Sequence, residues 1–138
     1  MQKLLKLKGN IMKFIESDNL PAAIGPYSPA IKVNGMIYTS AQVPVTLDGT
    51  LVERDIKVQT RQVLSNLRTL LEDAESGMHN VVKVSIYLEN IEDFGVVNVL
   101  FAEAFGDHKP ARSTISAKGL PMNSLIMIDA VATASDYH

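Results

Sequence analysis

Apolar positions along the chain switch twice from a spacing of two to one of three or four and back again. The runs Ala30-Ile31-Lys32-Val33 and Met36-Ile37-Tyr38-Thr39-Ser40 flank Asn34-Gly35. Both central positions of a type I′ turn need positive φ, so this dipeptide predicts a β-hairpin. Lys13-Phe14-Ile15 reads as a short edge strand ahead of a loop in which Pro21, Gly25, Pro26 and Pro29 rule out regular helix. After a second loop with Pro44 and Asp48-Gly49, the spacing of Val63, Leu64, Leu67, Leu70, Leu71 and Ala74 predicts an amphipathic helix, with Gly77 as its terminator. Val82, Val84, Ile86 and Leu88 alternate with Val81, Lys83, Ser85 and Tyr87, as in a central strand with one more apolar face. Phe94, Val97, Phe101, Ala104 and Phe105 mark a second helix that ends near Gly106. Residues 112–117 and 125–133 supply two last strands, separated by Gly119-Leu120-Pro121. The expected architecture is α+β: a sheet of two hairpin-like strand pairs, each linked to a helix, with both helices on one face.

Composition narrows the class. The 138 residues are 46% hydrophobic and 20% charged, which suits one globular domain rather than a disordered chain. Thirteen basic against fifteen acidic side chains give a net charge of -2, so a general attraction to phosphate backbones is absent and nucleic acid is not an expected partner. With no cysteine, disulfides, thiolate metal sites and cysteine nucleophiles are excluded together. No apolar run reaches the ~20 residues of a membrane span, so no membrane partner is expected.

Residues 1–11 differ from the rest. Lys3, Lys6 and Lys8 are mixed with Leu4, Leu5 and Leu7, and no acidic residue precedes Glu16. Such a start fits a tag, an alternative start ahead of Met12, or the remnant of a transit peptide. It is expected to stand outside a single domain over residues 12–138. The expected compartment is the cytoplasm, or the mitochondrion if the segment belongs to a transit peptide.

Self-contained catalytic motifs are missing. His79, His108 and His138 stand apart, with no H-E-x-x-H pair to hold a metal. The glycines are scattered, so neither a G-x-x-x-x-G-K-[ST] loop nor a G-x-G-x-x-G fingerprint exists, and no serine occupies a G-x-S-x-G elbow. Glu72, Asp73 and Glu75 fall on the last turn of the first helix and read as its solvated face. Arg112 remains, in the run His108-Lys109-Pro110-Ala111-Arg112-Ser113-Thr114-Ile115. A guanidinium matches a carboxylate with two parallel hydrogen bonds, so a fixed arginine at a strand start suits a small acid. The alternative is an ordinary solvated arginine.

Four segments carry a resemblance: Ala23-Ile24-Gly25-Pro26-Tyr27-Ser28, Tyr38-Thr39-Ser40-Ala41-Gln42-Val43-Pro44, Val82-Lys83-Val84 and Lys109-Pro110-Ala111-Arg112-Ser113. In this order, over about Met12 to Thr133, the chain resembles the RidA (YjgF) family of imine and enamine deaminases. The resemblance implies a chorismate-mutase-like α+β fold, a homotrimer with clefts between subunits, and hydrolysis of 2-iminobutanoate and 2-iminopropanoate to 2-oxo acids and ammonia, with no metal or organic cofactor. It also implies that Arg112 is the catalytic clamp on the substrate carboxylate, with Tyr27, Ser40, Ala41, Asn98 and Thr114 around it.

The chain departs from the family pattern in places. Ala41 stands where glycine is common, Thr114 where cysteine is common, and Met127 where deaminases usually carry a glutamate that handles the attacking water. A thioether is at best a weak acceptor. Asp129 is expected on the same strand face as Met127, roughly 7 Å further along. Two functions follow: an imine deaminase that protects metabolism from 2-aminoacrylate-type damage, or a non-catalytic binder of small carboxylates on the same fold. A ribonuclease or translation inhibitor is a weaker third alternative.

Overall fold

The computed structural model describes residues 2–7 and 10–135. Seven strands form one mixed sheet, in chain order β1 (Gln2–Leu7), β2 (Asn10–Ile15), β3 (Ala30–Val33), β4 (Met36–Thr39), β5 (Val81–Leu88), β6 (Ala111–Ser116) and β7 (Ile126–Thr133). Two helices, α1 (Ile56–Asp73) and α2 (Phe94–Phe105), cover one face. The spatial order is β1-β2-β3-β4-β7-β5-β6, so the last strand in sequence fills the middle of the sheet.

The β3–β4 hairpin forms as its Asn34-Gly35 turn requires, with φ of 53° and 74° at the two positions. β5 is central, bordered by β7 antiparallel and by β6 parallel. The expected second hairpin-like pair does not form, because β5 separates β6 from β7. The reason is the α2 crossover. A parallel neighbour cannot be reached through a tight turn, and α2 carries the chain back to the outer edge of β5, leaving the inner edge to β7.

At the N-terminus the segment ahead of Met12 adds a strand to the sheet. β1 pairs antiparallel with β2 from Gln2↔Ile15 to Leu7↔Asn10, so β2 begins at Asn10 and is not the edge strand. An unpaired strand edge leaves a row of open N–H and C=O groups, and β1 satisfies those of β2.

α1 begins seven residues before the apolar stripe at Val63, where the Asp55 carboxylate accepts from the backbone N–H groups of Lys57 (2.9 Å) and Val58 (3.1 Å). Its end is not made by Gly77, which has ordinary extended backbone. Glu75 takes the left-handed conformation (φ 61°) and the Ser76 N–H closes back on the Leu71 carbonyl at 2.8 Å. Nor is Asp73 simply solvated: its carboxylate accepts from the Ser17 hydroxyl and from Asn19 Nδ2 at 3.2 Å, tying the loop after β2 to the helix end. α2 runs to Phe105 as expected, with Gly106 (φ 60°) as the cap.

The core lies between the helices and one sheet face. Val63, Leu67, Leu70 and Leu71 of α1 and Val97, Phe101 and Phe105 of α2 meet Ile37, Val84, Ile86, Ile126 and Ile128. Along β7 the odd positions Met127, Asp129, Val131 and Thr133 are only half-buried and face away from the helices. That open face also exposes Tyr38, Val82 and Ile115. Leu67 has no solvent exposure at the helix–sheet junction. Leu67→Ala is expected to destabilise the chain by about 2–5 kcal/mol, read as a lower urea midpoint with an unchanged denaturant slope.

Candidate functional site

Arg112 occupies β6, the edge strand, beside Val84 of β5. Val84 is wholly buried against the helices, so Arg112 points to the helix-covered face, under α2. Three α2 residues receive it. Its guanidinium carbon is 5.1 Å from the centroid of the Phe94 ring and 4.9 Å from that of Phe101, and Nη1 donates to Asn98 Oδ1 at 2.7 Å. Phe94, Asn98 and Phe101 are spaced i, i+4, i+7, which puts them on one helix face. Among the described residues no carboxylate pairs with this arginine. Two aromatic faces and a neutral amide therefore hold the guanidinium without cancelling its charge, and most of its donors stay free. Asn98, expected to present its amide to a ligand, uses its oxygen to orient Arg112.

An open cleft of about 380 Å³ lies at this position, lined by Asn98, Phe101, Phe105, His108, Lys109 and Arg112 among others. Thr114, two residues along β6 on the same face, has a buried hydroxyl with no hydrogen-bond partner among the described residues.

The other expected site residues gather elsewhere. Tyr27 and Ala41 line a separate small cavity of about 60 Å³, with Ile24, Val43 and Asn66. Ser40 lies just past β4, and its hydroxyl donates to the Ser28 carbonyl at 2.6 Å while its N–H donates to the Pro29 carbonyl at 2.8 Å. It pins the proline-rich loop that carries Tyr27, and with its proton so used the hydroxyl can only accept from a ligand. Asn66 holds the other wall, donating to the carbonyls of Val43 (3.0 Å) and Val45 (2.9 Å). The β4 end and β6 are three strand spacings apart, about 14 Å. Within one chain the expected site residues therefore fall into two separate groups, Tyr27–Ser40–Ala41 and Asn98–Arg112–Thr114.

Met127 falls on the open face. It lies in a row with Tyr87 and Ile115, and Asp129 in the next row with Ser85 and Ser113. Met127 and Asp129 share a face as expected, but within one chain the sheet separates both from Arg112. The Tyr87 hydroxyl donates to the Asp129 carboxylate, and this bond, with burial and the aspartate charge, holds the phenol above its ordinary value against a smaller opposing bond from Ser85. Phe94, Phe101, Tyr87 and the 108–109 turn were not expected as site residues. For the two phenylalanines a signal existed in their spacing around Asn98, masked because aromatic residues at helical spacing first mean core. Among the described residues no group of three His, Cys, Asp or Glu side chains could hold a metal, and no helix is long and apolar enough to cross a membrane.

Fold and site together define a small α+β protein with an uncompensated arginine beneath its crossover helix. The family model described as endoribonuclease L-PSP matches residues 17–134. The chain belongs to this family, which includes the RutC and RidA (YjgF) proteins. A RutC family protein of Pyrococcus horikoshii is 43% identical over 119 residues, covering 86% of this chain and 94% of that one. The crystal structure of a Rid-family protein of unknown function from Yersinia pestis superposes with a TM-score of 0.87 at 42% identity, covering 89% of this chain and 99% of that one. The crystal structure of Escherichia coli TdcF with bound serine matches with a TM-score of 0.83 at 28% identity, covering 88% and 98%.

Because Tyr87 keeps its proton in the folded chain beyond the point where an unfolded tyrosine ionises, its contribution is full below about pH 10 and is lost as pH rises through the folded value. Urea midpoints measured at about pH 8 and about pH 11 should therefore fall further for the wild type than for Tyr87→Phe.

Proposed function

We propose that the chain hydrolyses small 2-imino acids, such as 2-iminobutanoate and 2-iminopropanoate, to 2-oxo acids and ammonia, and so removes reactive imines from amino-acid metabolism. Arg112 carries this reading: its charge is held between Phe94 and Phe101 and oriented by a neutral amide, as a carboxylate clamp requires. In the reaction a water oxygen bonds to the imine carbon, the resulting carbinolamine loses its C–N bond, and ammonia leaves. A protonated imine is already electrophilic, so the chief service is to hold the carbon in place by its carboxylate. Family membership and the serine bound to the 28%-identical TdcF support a small amino-acid-like ligand. The net charge of -2 disfavours RNA, although the family model's description names an endoribonuclease.

The assembly belongs to the same proposal. A homotrimer would cover the open face with its exposed Tyr38, Val82 and Ile115, and would bring the Tyr27 half-site of one copy to the Arg112 half-site of the next. Light scattering is expected to give a mass near three times 15.1 kDa, and a stable monomer would refute the assembly.

A second reading has its own support. Met127 sits beside Tyr87 and Ile115 and its thioether is at best a weak acceptor for water, and this favours a non-catalytic binder of small carboxylates. Purified chain added to an amino acid oxidase or a threonine dehydratase, which release imines, should speed oxo-acid formation. Arg112→Ala should reduce that acceleration at least about a hundredfold, in line with loss of a positioning charge. No acceleration by the wild type, with activity appearing in Met127→Glu, would decide for the binder.

A further inference from the structure

The cleft at Arg112 contains more positive charge than one carboxylate needs. Lys109 lines it together with Arg112, and among the described residues no acidic side chain does; Asp107, on the same turn, is outside the lining. The turn is held in place. Gly106 (φ 60°) reverses the chain at the end of α2, and His108 Nε2 donates to the Val81 carbonyl at 2.6 Å, with its ring 6.4 Å from that of Phe105. Pro110 then stiffens the link into β6. Lys109 precedes Arg112 by three residues, so their Cα atoms are at most about 10 Å apart, and two long side chains over that span can reach both ends of a short diacid. Lys109 is exposed and has no partner among the described residues.

Resting on the reading of Arg112 as the carboxylate clamp, we propose that Lys109 is a second anchor and that the cleft prefers 2-imino and 2-oxo acids with a side-chain carboxylate. Arg112 takes the carboxylate beside the reacting carbon, and Lys109 takes the one at the far end. The walls of Phe101 and Phe105 pack the carbon chain between them.

The probes are 2-oxopentanedioate and 2-oxopentanoate, which share a chain length and differ by one carboxylate. Titration calorimetry with the full chain in its solution assembly is expected to show the diacid binding about three- to fivefold more tightly, the range of a solvent-exposed charge pair. Lys109→Met should abolish that difference by weakening the diacid more than 2-oxopentanoate, Lys109→Glu should reverse it, and Arg112→Ala should weaken both acids. Equal affinities in the wild type, or a Lys109→Met variant that loses both acids equally, would overturn the proposal. Binding is read without turnover, so a diacid preference in a chain that hydrolyses no imine would leave this inference standing and remove the deaminase reading. Imine hydrolysis with no diacid preference would do the opposite.

Discussion

The parallel pairing of β5 with β6 is the constraint on which the rest depends. A parallel neighbour has to be reached by a crossover, and here the crossover is α2, laid across the strand it leads to. That single connection puts Arg112 under the helix, aligns Phe94, Asn98 and Phe101 above it, and leaves the inner edge of β5 for β7. A guanidinium is costly to desolvate when its charge is unpaired. Two ring faces and one amide offset part of that cost, while the sheet edge keeps the remaining donors open to water and ligand.

The same layering divides the chemistry. With both helices on one face, strand alternation sends Arg112 and Thr114 toward α2 and Met127 and Asp129 to the opposite side. The loop that carries Tyr27 is fixed at the far end of β4 by Ser40 and, through the β4 extension, by Asn66. The proposed trimer accounts for both features, because a face with exposed Tyr38, Val82 and Ile115 is a poor surface to leave in water, and a cleft shared between copies can join half-sites that one chain keeps apart. In that setting Met127 is an apolar contact beside Tyr87, and the Tyr87–Asp129 pair is the polar element nearest to it.

Much of this was legible from residue order. Asn34-Gly35 specified its hairpin because positive φ at adjacent positions is tolerated by few residues, and the apolar spacing of α2 located both its span and its Gly106 cap. The start of α1 was less visible, since Ile56 and Val58 stand among polar residues ahead of the main apolar stripe and the Asp55 cap is what marks the first turn. The terminator was misplaced at Gly77 because glycine is the usual left-handed residue, whereas Glu75 takes that conformation when the Ser76–Leu71 bond closes the helix. β1 was missed because a Lys–Leu mixture without strict alternation looks like a strand only once a partner edge is waiting for it.

Local chemistry therefore determined the helices, the hairpin, the α+β class and the family, each set by interactions within a few residues or by motifs read in order. Strand order, the face on which each site residue lies and the partners of Arg112 were decided by the tertiary structure. Pairing partners more than twenty residues apart leave no periodicity in the chain, and only the folded sheet and its crossover helix show which side chains share a surface.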